Sequence, residues 1–281
     1  MTKKRESGES LKSTMEIDGT LSSSSNENAN VNPIAHMTCN LSNIPLIDVK
    51  FNNTIVKFVV DSGSWLTIMN YHTYVTIGSP VLKPTNRKIF ALGAKEPIVF
   101  LGKLKITVKS GGRDRTKAIV YVLGDKEVNA PCLLSRSLSE KTGLITLDLG
   151  NTWNIQNFLT FRSYANRPMT DVLLNKIKVK FLVDSGSSVT FIDRSTYVKV
   201  GSPPLTQAEF VVSAFKPFIL LGKFEFTLVR GDFRVKTILY VKDIEYSSCV
   251  LSKSDSEKLG LLKLHPGLTN ECAHIYLNFN M

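Results

Sequence analysis

The 281-residue sequence has no long hydrophobic run, no leader-like start and few carboxylates for its number of basic side chains. No apolar stretch approaches the roughly 20 residues of a membrane-spanning helix. The first nine residues are charged and lack the apolar segment of a signal peptide, so we expect a cytoplasmic protein without a membrane partner. The formal net charge is +11, but the basic residues are spread through predicted strands and form no dense block. We therefore expect no specific nucleic-acid binding.

Cysteine is also scarce, with four in the whole chain. Cys132 and Cys249 each precede a similar short apolar run, so we predict that both are small buried hydrophobic side chains. Cys272 and His274 form an isolated Cys-x-His pair, which supplies too few ligands for a metal ion. The sequence therefore predicts no metal site.

An apolar run that ends in Asp-Ser-Gly occurs twice in the sequence. Residues 58–64 read FVVDSGS, and residues 181–187, which lie 123 positions later, read FLVDSGS. Each apolar run predicts a strand, and the glycine after it lets the backbone turn tightly. One Asp-Ser-Gly is an ordinary turn sequence. Two copies in matched apolar frames predict two carboxylates that face each other across a pseudo-two-fold axis.

The repeat extends beyond these two motifs. IGSP at 77–80 returns as VGSP at 200–203, LGK at 101–103 returns at 221–223, and CLLS at 132–135 returns as CVLS at 249–252. A period this long indicates a duplicated domain. We predict a disordered polar tail at 1–35, a first lobe at 36–150, a linker at 151–157, a second lobe at 158–267 and a C-terminal tail at 268–281.

The local patterns predict mostly strands with a few short helices. Asn52 and Asn53 suit a hairpin turn between two strands. Asn70 is a suitable cap for a short helix that Gly78 ends. A second short helix is predicted at residues 137–142.

The motifs VVDSG at 59–63 and LVDSG at 182–186 resemble the catalytic loop of retropepsin-like aspartic proteases, the proteases of retroviruses and long-terminal-repeat retrotransposons. The resemblance covers residues 36–265. It implies a mostly β fold of two retropepsin-like β-barrel lobes, related by a pseudo-two-fold axis, with short helices. Because both lobes lie on one chain, it implies a monomer that acts as a tethered dimer. It also implies a retrotransposon origin and an interface sheet built from strands at 37–41, 144–149, 158–163 and 261–264.

By the same resemblance the chain is an aspartic endopeptidase that needs no cofactor. Asp61 and Asp184 would form the dyad that activates water. The residues expected to brace the loops and line the cleft are Ser62, Gly63, Ser185 and Gly186. The residues expected in the two flaps are Leu92, Gly93, Ala94, Ser213 and Ala214. The substrate would be a polypeptide bound as an extended strand.

The sequence departs from the family pattern at three places. Ser135 and Ser252 stand where the family has glycine before its helix, and the acidic or amide partner of the basic residue that follows is missing. Trp65 replaces a small or acidic residue, and the second flap lacks glycine. Two alternatives therefore stay open: a catalytically inactive pseudoprotease that binds extended peptides, and an active enzyme in which the repeats pair between two chains.

Overall fold

The computed structural model describes residues 44–51, 54–90, 96–109, 116–124, 130–150, 167–208, 219–245, 247–265 and 275–279. Within these ranges the chain forms 15 strands and four short helices. None of the described helices has the length and apolarity of a membrane-spanning segment. The predicted tail at 1–35, the linker at 151–157 and the strands at 37–41 and 158–163 lie outside the described residues.

The two lobes contain the same elements in the same order. The first lobe contains β1 (Leu46–Phe51), β2 (Thr54–Asp61), β3 (Thr67–Met69), α1 (Tyr71–Thr76), β4 (Phe100–Lys109), β5 (Thr116–Leu123), β6 (Leu133–Ser135), α2 (Arg136–Lys141) and β7 (Ile145–Leu147). The second lobe contains β8 (Met169–Leu174), β9 (Ile177–Val183), β10 (Thr190–Asp193), α3 (Arg194–Lys199), β11 (Leu220–Arg230), β12 (Phe233–Lys242), β13 (Cys249–Leu251), α4 (Lys253–Lys258) and β14 (Leu262–Leu264). The last strand is β15 (Ile275–Phe279).

Each lobe is a closed barrel. The strand order is β1-β15-β4-β5-β3-β6-β2 in the first lobe and β8-β11-β12-β10-β13-β9 in the second. Without β15 the two orders correspond strand for strand. The predicted fold class, mostly β with two barrel lobes and short helices, is confirmed.

The position of β15 is the main difference between the barrels. This strand runs parallel to β1 and antiparallel to β4, and so separates the two. In the second lobe the equivalent strands β8 and β11 pair directly, at Leu174 with Leu228. Residues 268–281, which the sequence analysis placed outside both lobes, thus contain a strand of the first barrel.

The strands form where the sequence alternates or is continuously apolar. Along β1, Ile47, Val49 and Phe51 are buried and the residues between them are more exposed, as expected for a strand with one face on a core. The second half of β2 is buried on both faces from Phe58 to Val60. This half of β2 lies between β1 and β6, which pair with it on its two sides. A strand buried on both faces needs a continuous apolar run.

Local chemistry explains the short helices. The Asn70 side chain accepts a hydrogen bond from the Thr73 amide and caps α1, as predicted. Ser135 and Ser252 cap α2 and α4 in the same way. The second helix spans Arg136–Lys141, one residue earlier than predicted, because Ser135 is its cap.

A two-stranded sheet joins the lobes. β7 pairs antiparallel with β14, at Ile145 with Leu264 and Leu147 with Leu262. Two of the four strands expected at the interface are therefore paired between the lobes. The main hydrophobic core includes buried residues of both barrels, and Cys132 and Cys249 belong to it. Both cysteines are thus the buried hydrophobic side chains that were predicted.

Candidate active site

The two Asp-Ser-Gly loops begin at the ends of equivalent central strands. Asp61 is the last residue of β2, and Asp184 follows directly after β9. Both strands pair in parallel with the short apolar strand of their lobe, Val60 with Leu134 and Val183 with Leu251. These strands hold the start of each loop, because a parallel partner on one side and an antiparallel partner on the other fix the backbone.

The loops themselves turn in the same way. The Ser64 amide donates to the Asp61 carbonyl at 3.2 Å, and the Ser187 amide donates to the Asp184 carbonyl at 3.2 Å. Each turn is also tied to the helix that follows the parallel strand. The Arg136 amide donates to the Ser64 carbonyl at 3.0 Å, and the Lys253 amide donates to the Ser187 carbonyl at 2.9 Å. These bonds connect the start of α2 and the start of α4 to the loops.

Ser62 and Ser185 bind the two loops to each other through four reciprocal hydrogen bonds. The Ser62 hydroxyl donates to the Val183 carbonyl at 2.8 Å and accepts from the Ser185 amide at 2.8 Å. The Ser185 hydroxyl donates to the Val60 carbonyl at 2.6 Å and accepts from the Ser62 amide at 2.8 Å. Both serines are almost fully buried, with 1% and 0% of their surface exposed. The lobes therefore meet at this point in one fixed arrangement.

The glycines allow the close approach of the two carboxyl groups. A Cβ atom on Gly63 would lie 2.7 Å from Cγ of Asp184, and one on Gly186 would lie 3.0 Å from Cγ of Asp61. The first distance is shorter than atoms tolerate, so no side chain fits at Gly63 without moving the opposite aspartate. Each glycine of one loop thus faces the carboxylate of the other.

Asp61 and Asp184 interact directly, and the pKa of each is raised. Burial raises the pKa of Asp61 well above its usual value, and the charge of Asp184 and a hydrogen bond to that side chain raise it further. Burial also raises the pKa of Asp184, while hydrogen bonds from Asp61 and from backbone amides oppose that rise. A hydrogen bond between two carboxyl groups requires a proton on one of them, so the pair holds one proton and one negative charge. Two adjacent carboxyl groups that share one proton supply an acid and a base at one place.

Backbone amides donate to both carboxyl groups. The Ser64 amide donates to Oδ1 of Asp61 at 2.8 Å, and the Gly186 amide donates to Oδ1 of Asp184 at 2.9 Å. The amide of Gly63 is a further donor to both carboxyl groups. Amide donors stabilise a carboxylate, so they favour one negative charge on the pair.

The residues that the sequence analysis treated as departures have visible contacts. The Ser135 hydroxyl caps α2 by accepting a hydrogen bond from the Leu138 amide. It also accepts a hydrogen bond from the Thr67 hydroxyl at 3.0 Å. In the second lobe the equivalent Thr190 instead donates to the buried carboxylate of Asp255. Trp65 is 42% exposed and lies beside the first loop. Ser135 and Ser252 therefore each cap a helix that is bonded to an Asp-Ser-Gly loop.

The second lobe contains polar groups that the sequence analysis did not single out. Asp255 accepts from Thr190 and, at 3.0 Å, from Thr237. Asp193 pairs in register with Lys242, and both side chains are almost completely buried. Burial lowers the pKa of Lys242 to about 8. Comparison of the two repeats could have found this pair, since the first lobe has apolar Leu123 and neutral Asn70 at the equivalent places.

The predicted flap residues, Leu92, Gly93, Ala94, Ser213 and Ala214, lie outside the described residues. The described part of the first hairpin includes an antiparallel bridge between Ile89 and Ile98, in which the Ile98 amide donates to the Ile89 carbonyl at 2.6 Å. Among the residues that are described, no group of three or more His, Cys, Asp or Glu side chains is placed to hold a metal ion.

No protein-family model and no curated protein matches this chain. Among solved structures, it is similar to the EIAV protease complexed with the inhibitor HBY-793, with 21% identity and a TM-score of 0.32 over 38% of this chain and 99% of that chain. It is also similar to the retroviral protease-like domain of Ddi1 from Leishmania major, with 13% identity and a TM-score of 0.28 over 35% of this chain and 87% of that chain. The geometry of the site is a property of this chain's own residues and does not depend on either similarity.

Proposed function

We propose that this chain is a retropepsin-like aspartic endopeptidase with both halves of its active site on one polypeptide. The observation that carries the proposal is the contact of Asp61 with Asp184 between loops that Ser62 and Ser185 bind reciprocally. A turn that merely ends a strand has no need to place its carboxylate against a second, partly buried carboxylate. Such an arrangement costs free energy in the folded state, and it is typical of catalytic sites.

The proposed reaction uses the unequal charges of the pair. Ionised Asp184 takes a proton from a water molecule, and the oxygen of that water attacks the carbonyl carbon of the scissile peptide bond. Protonated Asp61 donates its proton to the carbonyl oxygen, which gives a neutral tetrahedral diol. The C–N bond then breaks as the proton on Asp184 passes to the departing nitrogen and a hydroxyl proton returns to Asp61. The products are a carboxylic acid and an amine, and the dyad is restored.

The substrate would be an extended polypeptide, and the origin of the chain would be a retrotransposon protease whose two copies became joined. An extended segment can pair its backbone with strand edges beside the cleft. Since one chain supplies both aspartates, the active form would be a monomer.

The decisive experiment is cleavage by the purified full chain and by two single variants, Asp61→Asn and Asp184→Asn. We expect the unmodified protein to cleave an apolar peptide library at acidic to near-neutral pH with a bell-shaped pH profile, and each variant to lose cleavage. Asparagine keeps the size of the side chain but can neither share the proton nor accept one. Ser187→Ala, which changes the second loop outside the dyad, is the matched control and should stay active.

Full activity in either asparagine variant would overturn the shared-dyad assignment. An unmodified protein that is folded, does not cleave and still binds a pepstatin-type transition-state mimic would indicate the pseudoprotease instead.

A further inference from the structure

A pocket of about 940 Å³ lies in the first lobe beside the catalytic loop. Trp65 and Leu66, which directly follow that loop, form part of its wall, and the sheet of β4 and β5 and the helix α2 form the rest. Ligand pockets commonly measure about 300–1,000 Å³, so the space is sufficient for several residues of a peptide. The proposed reaction uses none of the side chains that line it.

The pocket is strongly cationic. Its lining includes one carboxylate, Glu140, and five basic side chains, which are Arg87, Lys105, Lys117, Arg136 and Lys141. Among the described residues, none of these five forms an ion pair. Like charges gathered on one surface repel each other, so an anionic ligand would relieve an unfavourable arrangement.

The second lobe shows what the same surface looks like when its charges are balanced. Lys105 lies opposite Ile119 and Lys117 lies opposite Thr107, so the two lysines are diagonal neighbours on one face of β4 and β5. The equivalent diagonal of β11 and β12 holds Glu225 and Lys236, which form an ion pair at 2.6 Å. One end of this ion pair is therefore replaced by a lysine in the first lobe.

The helix beside the pocket shows the same difference. In α4 the Lys253 ammonium contacts the Glu257 carboxylate at 3.2 Å. The equivalent residues in α2 are Arg136 and Glu140, and they form no ion pair within 4 Å. The guanidinium of Arg136 is therefore available to a ligand.

The pocket also presents apolar and aromatic surface. Trp65 and Ile119 are 42% and 41% exposed, large fractions for such side chains. The guanidinium of Arg87 lies 5.8 Å from the centre of the Tyr121 ring, which is within cation–π distance. This contact keeps the positive charge of Arg87 at the rim of the pocket. At the position of Trp65 the second lobe has Ser188.

We propose that this pocket binds an acidic segment of a polypeptide, with carboxylates against the lysines and an apolar side chain against Trp65. We identify the ligand as a peptide because the pocket adjoins the loop that the proposed function assigns to peptide cleavage. The inference rests on the proposed function only in identifying this segment as part of the substrate. Trp65 is four residues from Asp61, and the amide of Arg136, another lining residue, donates to the Ser64 carbonyl at 3.0 Å, so the pocket lies directly beside the loop. The mixture of lysines and apolar side chains also suits carboxylates spaced along a peptide better than a regular row of phosphates.

The test is fluorescence anisotropy with the Asp61→Asn full chain, which binds without cleaving, and a labelled peptide that alternates acidic and apolar residues. Lys105→Glu recreates the glutamate–lysine diagonal of the second lobe. We expect it to weaken binding about fivefold or more, because a charge reversal removes one attraction and adds a repulsion. Binding should also weaken as salt rises, since the basic side chains at the rim are exposed. Lys178→Glu, on an exposed position of β9, makes the same charge change elsewhere and should leave the affinity within about twofold.

A second variant and two further probes complete the design. Trp65→Ser, the residue of the second lobe, should weaken the same peptide and have less effect on a peptide without apolar side chains. The peptide with every acidic residue changed to its amide should bind weakly to all variants. Equal affinity in Lys105→Glu and Lys178→Glu would overturn the inference, as would tighter Lys105-dependent binding of a single-stranded oligonucleotide. Because the readout is binding, a chain that cleaves but ignores the acidic peptide refutes only this inference. A chain that binds it but never cleaves refutes only the proposed function.

Discussion

Replacement of Ser62 by alanine should destabilise the protein by about 2–4 kcal/mol. The Ser62 hydroxyl makes two buried hydrogen bonds between the lobes, to the Val183 carbonyl and from the Ser185 amide, both 2.8 Å long. A buried hydrogen bond contributes roughly 0.5–1.5 kcal/mol, and a buried group that loses its partner costs about 1–3 kcal/mol. Since the serine is 1% exposed, water cannot replace the lost oxygen without opening the contact between the loops.

The reciprocal geometry makes the prediction sharper. Ser185→Ala removes the equivalent bonds to Val60 and from Ser62, of 2.6 and 2.8 Å. The two variants should therefore agree within about 1 kcal/mol. Ser187→Ala is the matched control, because its hydroxyl donates only within its own loop, to the Val189 carbonyl at 2.8 Å. We expect this control to cost about 1 kcal/mol or less.

The measurement is urea unfolding followed by circular dichroism, with the slope of free energy against denaturant compared between variants. A change of midpoint at constant slope reports stability, whereas a changed slope indicates that the lobes no longer unfold together. If Ser62→Ala and Ser185→Ala cost no more than Ser187→Ala, the four bonds do not hold the lobes together. The account of the interface would then be wrong.

Two further predictions concern assembly and the buried lysine. The rate of cleavage per molecule should not change on dilution below micromolar concentration, and sedimentation should show a single species near 31 kDa. A dimeric mass together with activity that falls on dilution would show that the repeats pair between chains. The double variant Lys242→Leu/Asp193→Asn, which copies Leu123 and Asn70 of the first lobe, should gain about 1–3 kcal/mol of stability at pH 7. Burial lowers the pKa of Lys242 from 10.5 to about 8 in the folded state, so its charge costs stability below that pH and the cost is relieved as pH rises towards 10.5. The advantage of the double variant should therefore shrink between pH 8 and 10.5, and an advantage that is absent or constant with pH would contradict this reasoning.

The centre of the structure was predictable because its signals are local. An apolar run that ends in Asp-Ser-Gly specifies a strand and a tight turn, and Asn70 specifies a helix cap. The repeated order of these signals predicted a duplicated domain, and the resemblance to the retropepsin-like family implied that each copy is a β-barrel lobe. Val59 and Leu182 occupy equivalent positions in the two repeats. In the sheets Val59 pairs with Leu133 and Leu182 pairs with Val250, and these two partners are also equivalent.

The remaining features depend on contacts that a sequence does not display. β15 (Ile275–Phe279) is five residues long and has no counterpart in the first repeat, so only its pairing with β1 and β4 defines it. Asp255 appeared as an ordinary helix residue, because its partners Thr190 and Thr237 are distant along the chain. The sequence lacks the acidic or amide residue that the family pattern has after the basic residue. That absence gave no indication that the carboxylate of Asp255 is buried.

The differences between the lobes lie away from their shared centre, and the single chain explains why they can exist. The four serine bonds require two loops of the same shape, so the residues around Asp61 and Asp184 must stay alike. In a dimer of identical chains every substitution at the periphery would appear twice. One chain can instead place two lysines on the diagonal of the first lobe while the second keeps the Glu225–Lys236 ion pair at 2.6 Å. With unpaired lysines in the first lobe and an ion pair at the equivalent place in the second, the site would bind an acidic peptide in one chain direction only. In the reversed direction, the acidic end of the peptide would lie against the second lobe, where the positive charge is already paired.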